Sequence, residues 1–138
     1  MSTTKSNVQK RIGIIPNDDI ISLELQFKTL LIVTYLVRIR EENSNQVVFE
    51  WTGDNSNDAD DKYILGTAKK NIGRTTFITF TIIDQDGKGG DFEVKAIFKH
   101  NGEIIDEGIL TSGKQKLEPG ENYCDFHFIS RFVLRGEK

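Results

Sequence analysis

Apolar and polar residues alternate along much of this chain, with the period of two that is typical of half-buried β-strands. Across residues 91–99 the even-numbered positions are all apolar, and most of the positions between them are charged. The pair Asn101-Gly102 follows, and Asn-Gly between two strand-like runs indicates a two-residue type I′ turn. The pattern therefore predicts a β-hairpin whose return strand covers residues 104–111.

Four further segments predict strands. Residues 123–135 alternate again and predict a last strand of about a dozen residues, longer than the usual five or six. Residues 75–83 are rich in β-branched and aromatic side chains and are apolar at both parities, which is typical of a central strand. Residues 46–51 and 62–65 predict shorter strands.

The segment from residue 20 to residue 40 has two interpretations. Ile21, Leu23, Leu25 and Phe27 alternate with polar residues, and the run that follows is rich in β-branched residues. Both features favour strands, because β-branched side chains lose rotamer freedom in a helix. The alternative is a long helix capped at Asp18 or Asp19.

These segments predict an all-β fold, a single-domain antiparallel β-sandwich of about eight strands, with a barrel as the second choice. A chain of 138 residues is long enough for one domain with one core. We expect the domain to cover residues 11–138, because residues 1–10 are polar and predict a flexible tail.

Composition narrows the compartment and the partners. The N-terminus has no apolar leader, the longest apolar run is far shorter than the roughly 18 residues of a membrane span, and there is one cysteine. We therefore expect a cytoplasmic protein, with secretion without a visible leader as the alternative. The net charge of −3 disfavours a nucleic-acid partner.

The inventory of reactive side chains predicts a protein that is not an enzyme. The chain has two histidines and one cysteine, and its sequence contains no nucleophile elbow, phosphate-binding loop or zinc-ligand spacing. Cys124 and His127 are three residues apart, so a strand directs them to opposite faces. The cysteine is then expected to be a small buried apolar residue.

Two loops carry seven of the 21 acidic residues: residues 53–61, the first acidic loop, and residues 84–91, the second acidic loop. Without these seven aspartates the chain has more basic than acidic side chains. Short-spaced aspartates in flexible loops are typical ligands of Ca²⁺, which binds six to eight oxygen atoms. The alternative is that Asp, Asn and Gly form ordinary solvated turns. The candidate metal ligands are Asp54, Asp58, Asp60, Asp61, Asp84, Asp86 and Asp91.

Two stretches resemble loops of a known class. Residues 77–92, a β-rich strand that runs into Asp84, Asp86 and Asp91, resemble the third loop of calcium-dependent phospholipid-binding sandwich domains, and residues 54–63 resemble their first loop. That resemblance implies calcium at the loops. The third aspartate comes one residue early, however, and only 22 residues separate Asp61 from Asp84, so the chain is not assigned to this class.

The sequence thus predicts a non-catalytic binding module that uses acidic loops at one end of a sandwich, with calcium-dependent recognition of carbohydrate, lipid or protein as the expected chemistry. Trp51, just before the first acidic loop, is a candidate to stack on a ligand. The other interpretation of Trp51 is a core aromatic, because it continues the alternation of Val47 and Phe49. The alternative function is a structural or assembly subunit of a homo-oligomer.

Overall fold

The protein is described by a computed structural model that covers residues 2–56 and 61–136, with side chains from residue 7 onward. Ten strands and one short helix follow one another along this part of the chain. They are β1 Ser2–Ile14, β2 Ile20–Thr29, β3 Ile32–Arg40, β4 Val47–Asp54, β5 Asp61–Thr67, α1 Ala68–Asn71, β6 Thr75–Ile83, β7 Gly90–His100, β8 Glu103–Thr111, β9 Gln115–Leu117 and β10 Tyr123–Leu134.

The strands form two packed sheets, which confirms the predicted all-β sandwich rather than the barrel. Sheet A has the strand order β1-β10-β6-β3-β4, and sheet B has the order β5-β2-β7-β8, with β9 also paired to β7. Neighbouring strands are antiparallel except β1 and β10, which run parallel. Ten strands replace the expected eight because β1 and β9 lack a strong pattern in the sequence.

The core lies between the inward faces of the two sheets. Six of the nine phenylalanines are fully buried there, and each contributes roughly 1.5–3 kcal/mol by leaving water. The buried positions of β6 and β10 alternate with partly exposed ones, as a sheet with one face in the core requires. The buried phenylalanines are Phe80, Phe92, Phe98, Phe126, Phe128 and Phe132.

Residues 20–40 form two strands joined by a bend at Leu30 and Leu31, so the helical alternative is wrong. The alternation from Ile21 onward buries one side of β2 against the core, and the same period continues through β3. The two strands belong to different sheets, β2 to sheet B and β3 to sheet A. The bend therefore carries the chain across one end of the sandwich.

The hairpin and the last strand have the expected geometry. Asn101 and Gly102 have φ values of 52° and 83°, the two positive angles of a type I′ turn, and they join β7 to β8. In β10, Cys124 is buried in the core, whereas His127 lies on the outer face beside Thr79, with 3.1 Å between His127 Nδ1 and Thr79 Oγ1. The two reactive side chains therefore lie on opposite faces, as the spacing predicts.

Two segments differ from expectation. Residues 2–10, for which the sequence predicts a flexible tail, belong to β1, which pairs with β10 along its length. The strand's partner is 120 residues away in sequence, and only Val8, Ile12 and Ile14 signal an apolar side. Residues 68–71 form α1, capped by the Thr67 hydroxyl, which accepts a hydrogen bond from the Lys70 amide.

Within the described residues, no helix is long and apolar enough to cross a bilayer.

Candidate functional site

Both acidic loops leave the same end of the sandwich, which we call the loop end. In sheet A, Thr34 of β3 pairs with Asp54 on one side and with Thr81 on the other. The β4–β5 loop and the β6–β7 loop therefore begin on strands that flank β3. Because adjacent strands are about 4.8 Å apart, the two loops start roughly 10 Å from each other.

The turn between β2 and β3 lies between the two acidic loops. In sheet A, β3 lies between β4 and β6, and in sheet B, β2 lies between β5 and β7. The turn that joins β2 to β3 therefore lies between the β4–β5 loop and the β6–β7 loop. We call residues Leu30 and Leu31 the leucine turn. The loop end thus consists of three neighbouring crossings between the sheets, with the leucine turn in the middle and an acidic loop on each side.

The first acidic loop uses its polar side chains to hold its own backbone. Asp54 Oδ1 accepts a hydrogen bond from the Ser56 amide at 3.0 Å, and bonds from the Ser56 side chain and backbone lower the pKa of this exposed carboxyl. Asn55 Oδ1 accepts from the Val33 amide at 2.9 Å, and Asn55 Nδ2 donates to the Leu31 carbonyl at 3.0 Å. Asn55 therefore fastens this loop to the leucine turn.

Asp61, the first residue of β5, takes part in a partly buried cluster with Tyr35 and Tyr63. The Tyr35 hydroxyl donates to Asp61 Oδ2 at 2.5 Å and also contacts the Tyr63 hydroxyl. Burial, followed by the contacts with Asp61 and Tyr63, raises the pKa of Tyr35, so its hydroxyl stays protonated and remains a donor. The Asp61 carboxylate thus joins β3 to β5 across the edge of the sandwich.

The second acidic loop is folded around Asp84, which is only 5% exposed. Its Oδ2 accepts a hydrogen bond from the Gly89 amide at 2.6 Å, and Asp86 Oδ1 accepts from the Lys88 amide at 2.9 Å. The Lys88 amide, and then the contact with the Asp84 carboxyl, lower the pKa of Asp86. Asp91 contributes its backbone carbonyl, which accepts from Thr29 Oγ1 of β2 at 2.7 Å.

The candidate metal ligands share one end of the sandwich but do not assemble. Among residues 2–56 and 61–136, no three carboxylate, imidazole or thiol groups come together as a metal ion requires. Asp58 and Asp60 lie outside the described residues. The five described aspartates act instead within the two loops and the strands beside them, so the described residues do not support the calcium interpretation.

Trp51 occupies the edge of the sandwich beside the first acidic loop. Its indole stacks on Tyr63 of the opposite sheet, with 4.5 Å between ring centroids, and on Phe49 of its own strand at 5.1 Å. The ring is partly buried and packs against the core. This packing matches the core-aromatic interpretation, because the ring contacts two stacked aromatic neighbours and the core.

An open groove of about 1140 Å³ lies beside the leucine turn, and sequence reasoning did not identify it. Leu30 is fully exposed at its rim, the most exposed large apolar residue in the described part of the chain. The turn is held from both sides. Asn55 donates to the Leu31 carbonyl on one side, and on the other Thr29 Oγ1, which accepts from the Leu31 amide at 3.0 Å, donates to the Asp91 carbonyl. The leucine is therefore displayed on a fixed backbone.

The groove has a charged lining with both signs. Its basic side chains come from β2, β9 and the β8–β9 connection, and its acidic ones from the second acidic loop and β7. The rim therefore offers ion pairs to a partner without a strong net field of its own. The charged lining residues are Lys28, Lys114, Lys116, Asp86, Asp91 and Glu93.

Comparisons with protein-family models, with curated proteins and with solved structures find no match to this chain.

Proposed function

We propose that this protein is a non-catalytic binding module that docks another protein through its loop end, with Leu30 as the apolar anchor. The observation that carries the proposal is the full exposure of Leu30 on a turn that is hydrogen-bonded to both neighbouring loops. Single exposed apolar side chains are common on protein surfaces. Leu30 differs from the others because it is fully exposed beside the groove, on a turn that hydrogen bonds hold from both sides.

The fixed turn favours binding for an energetic reason. Covering a leucine side chain contributes roughly 1.5–3 kcal/mol, whereas ordering a mobile loop on binding opposes association. The hydrogen bonds of Asn55 and Thr29 hold the turn before a partner arrives. Most of the apolar contribution is therefore available to the complex.

The charge of the surroundings favours a protein over a lipid surface. Anionic membranes attract clusters of basic residues, but here acidic residues flank the leucine on both sides. A protein surface with charges of both signs pairs better with the mixed lining of the groove. Under this proposal the aspartates shape and orient the loop end.

Site-specific photocrosslinking tests the proposal. A benzophenone amino acid replaces Leu30 in one variant and Ile64, an exposed isoleucine of β5, in a matched control. After irradiation in cells that contain the protein naturally, we expect discrete adducts from position 30 and none of the same size from position 64. An identified partner is then purified, and its affinity for the Leu30→Asp and Ile64→Asp variants is compared with that for the wild type.

Leu30→Asp should weaken this complex at least about tenfold, as expected when a buried leucine contact is lost, and Ile64→Asp should leave it unchanged. Equal adducts from both positions, or an unchanged affinity for Leu30→Asp, would refute the loop end as the docking site. Adducts between two copies of this chain would favour the assembly alternative. Vesicles of phosphatidylcholine and phosphatidylserine that bind the wild type but not Leu30→Asp would replace the protein partner with a lipid one.

A further inference from the structure

The outer face of sheet A carries four arginines at the end opposite the loop end. Arg131 pairs in register with Arg11 of β1, and Thr75 lies between Arg131 and Arg40 of β3. Arg38, two residues before Arg40, lies directly across from Phe77 of β6. We call Arg11, Arg38, Arg40 and Arg131, together with Phe77, the arginine patch.

Two guanidinium groups of the patch have unused donors. Nε of Arg38 and Nε of Arg40 are buried atoms that form no hydrogen bond among the described residues, although the Glu50 carboxylate lies within ion-pair distance of Arg38 Nε. Unsatisfied buried donors are rare in folded proteins, so these two guanidinium groups have hydrogen-bonding capacity that the described residues do not use. The Arg40 guanidinium is also held in place, because its Cζ lies 4.9 Å from the centroid of the Phe77 ring.

The positive charge of the patch is only partly neutralised. Arg131 forms an ion pair with Glu42 at 3.2 Å, and Arg38 Nε lies 3.5 Å from Glu50 Oε2. Arg11 and Arg40 have no ion-pair partner among the described residues. Arg11 also lies directly beside Arg131 on the neighbouring strand, an arrangement of like charges that is unfavourable and that a bound anion would relieve.

We propose that the arginine patch binds an acidic peptide segment of a partner protein, in an extended conformation with two carboxylates two residues apart. Arg38 and Arg40 occupy alternate positions on one face of β3, so their Cα atoms are roughly 7 Å apart. Two carboxylates separated by one residue in an extended chain have the same spacing. Each carboxylate can then accept paired hydrogen bonds from one guanidinium.

Two features favour a peptide over a long polyanion. Glu50 and Glu42 lie beside the patch, and the whole chain has a net charge of −3, so a polymer that extended beyond the patch would meet repulsion. The planar fork of arginine also matches carboxylates in a bidentate manner. This surface lies at the far end of sheet A from the leucine turn, so the inference stands apart from the proposed function.

Fluorescence anisotropy with a defined peptide tests the inference. The probe is a fluorescein-labelled serine–glycine peptide with two aspartates separated by one serine, measured at low ionic strength because screening weakens such contacts. A second peptide has the same composition but adjacent aspartates. We expect the wild-type protein to bind the spaced peptide more tightly than the adjacent one.

Arg38→Gln and Arg40→Gln should each weaken binding of the spaced peptide by about tenfold, because a charge-assisted hydrogen bond is lost. Arg40→Lys should also bind more weakly than the wild type, since it keeps the charge but loses the fork. Arg135→Gln is the matched control, because Arg135 is exposed, pairs with Asp106 and lies outside the patch. This control changes the net charge equally and should leave binding unchanged.

Three results would overturn the inference. They are no binding of either peptide, an equal loss of affinity in Arg135→Gln, and tighter binding of a heparin oligosaccharide of matched charge that Arg40→Gln abolishes. The last result would make the patch a polysaccharide site. Thermal unfolding by circular dichroism checks that each variant is folded before its affinity is compared.

Discussion

Replacing Gly53 with alanine should destabilise the protein because the added methyl group clashes with Tyr35. Alanine is otherwise better suited than glycine to a strand. Gly53 is in β4 and pairs with Tyr35 of β3. A Cβ atom at position 53 would lie 2.5 Å from Tyr35 Cζ and closer still to the hydroxyl. The ring has little freedom to move, because it is 5% exposed and its hydroxyl is bound to Asp61 and Tyr63.

The clash and the intrinsic strand preference of alanine change the free energy of unfolding in opposite directions, so the measured sign distinguishes them. Alanine in a strand interior is ordinarily favoured over glycine by roughly 0.5–1 kcal/mol, because glycine loses more backbone entropy on folding. Forcing the tyrosine out of its site costs about 1–3 kcal/mol in overpacking. Loss of its two hydrogen bonds adds about 1–3 kcal/mol. We therefore expect Gly53→Ala to lower the free energy of unfolding by about 1–5 kcal/mol.

Urea unfolding followed by circular dichroism measures this change, as a lower midpoint with an unchanged slope. Gly90→Ala is the matched control, because the atoms nearest to a Cβ there belong to the partly exposed Leu31 side chain, at 3.1 Å or more. A change of less than about 1 kcal/mol is expected for it. In a Tyr35→Ala background, Gly53→Ala should be neutral or stabilising. Additive losses in the two backgrounds would refute the clash.

Three other perturbations have expected outcomes. Asn55→Ala should lower the free energy of unfolding by about 1–3 kcal/mol, since its amide completes hydrogen bonds at the leucine turn, and Asn55→Asp should recover only part of it because it keeps the acceptor alone. Burial raises the pKa of Glu24, but bonds from Gln26 and Lys99 outweigh it and hold the pKa below the usual 4.5. This carboxylate therefore stabilises the fold above pH 4.5, and the stabilisation is lost as the pH falls through the lower pKa of the folded state. If the stability of a Glu24→Gln variant depended on acidic pH in the same way as that of the wild type, this reasoning would be wrong. Cys124 is fully buried and should react with Ellman's reagent only after unfolding, so rapid reaction of the native protein would show an accessible thiol.

The strands were predictable where the period of two was continuous. The ends of four strands lie within one residue of the predicted ends. They are the hairpin strands β7 and β8, the central strand β6 and the last strand β10. Their signals are local, because each strand buries one face and each turn needs particular residue types. β1 was missed because its pairing depends on β10, at the other end of the chain.

The candidate site depended more strongly on the fold. The sequence identified the two acidic loops, but it did not show that they hold a leucine turn between them. Leu30 lies within an apolar run, where composition alone suggests a buried position. It is exposed because the chain crosses from sheet B to sheet A at that residue.

The amino-acid sequence by itself determined the all-β fold, the opposite faces of Cys124 and His127, and the concentration of acid in two loops. These properties follow from the side-chain period and from local turn chemistry, which act over a few residues. Only the tertiary structure decided which loops are neighbours and that arginines from three strands share one face. It also decided that the Asp61 carboxylate binds a tyrosine hydroxyl and that the Asp84 carboxylate binds a backbone amide. Those relations depend on strand order and register between residues far apart in the chain, and these arise when the two sheets bury their common core.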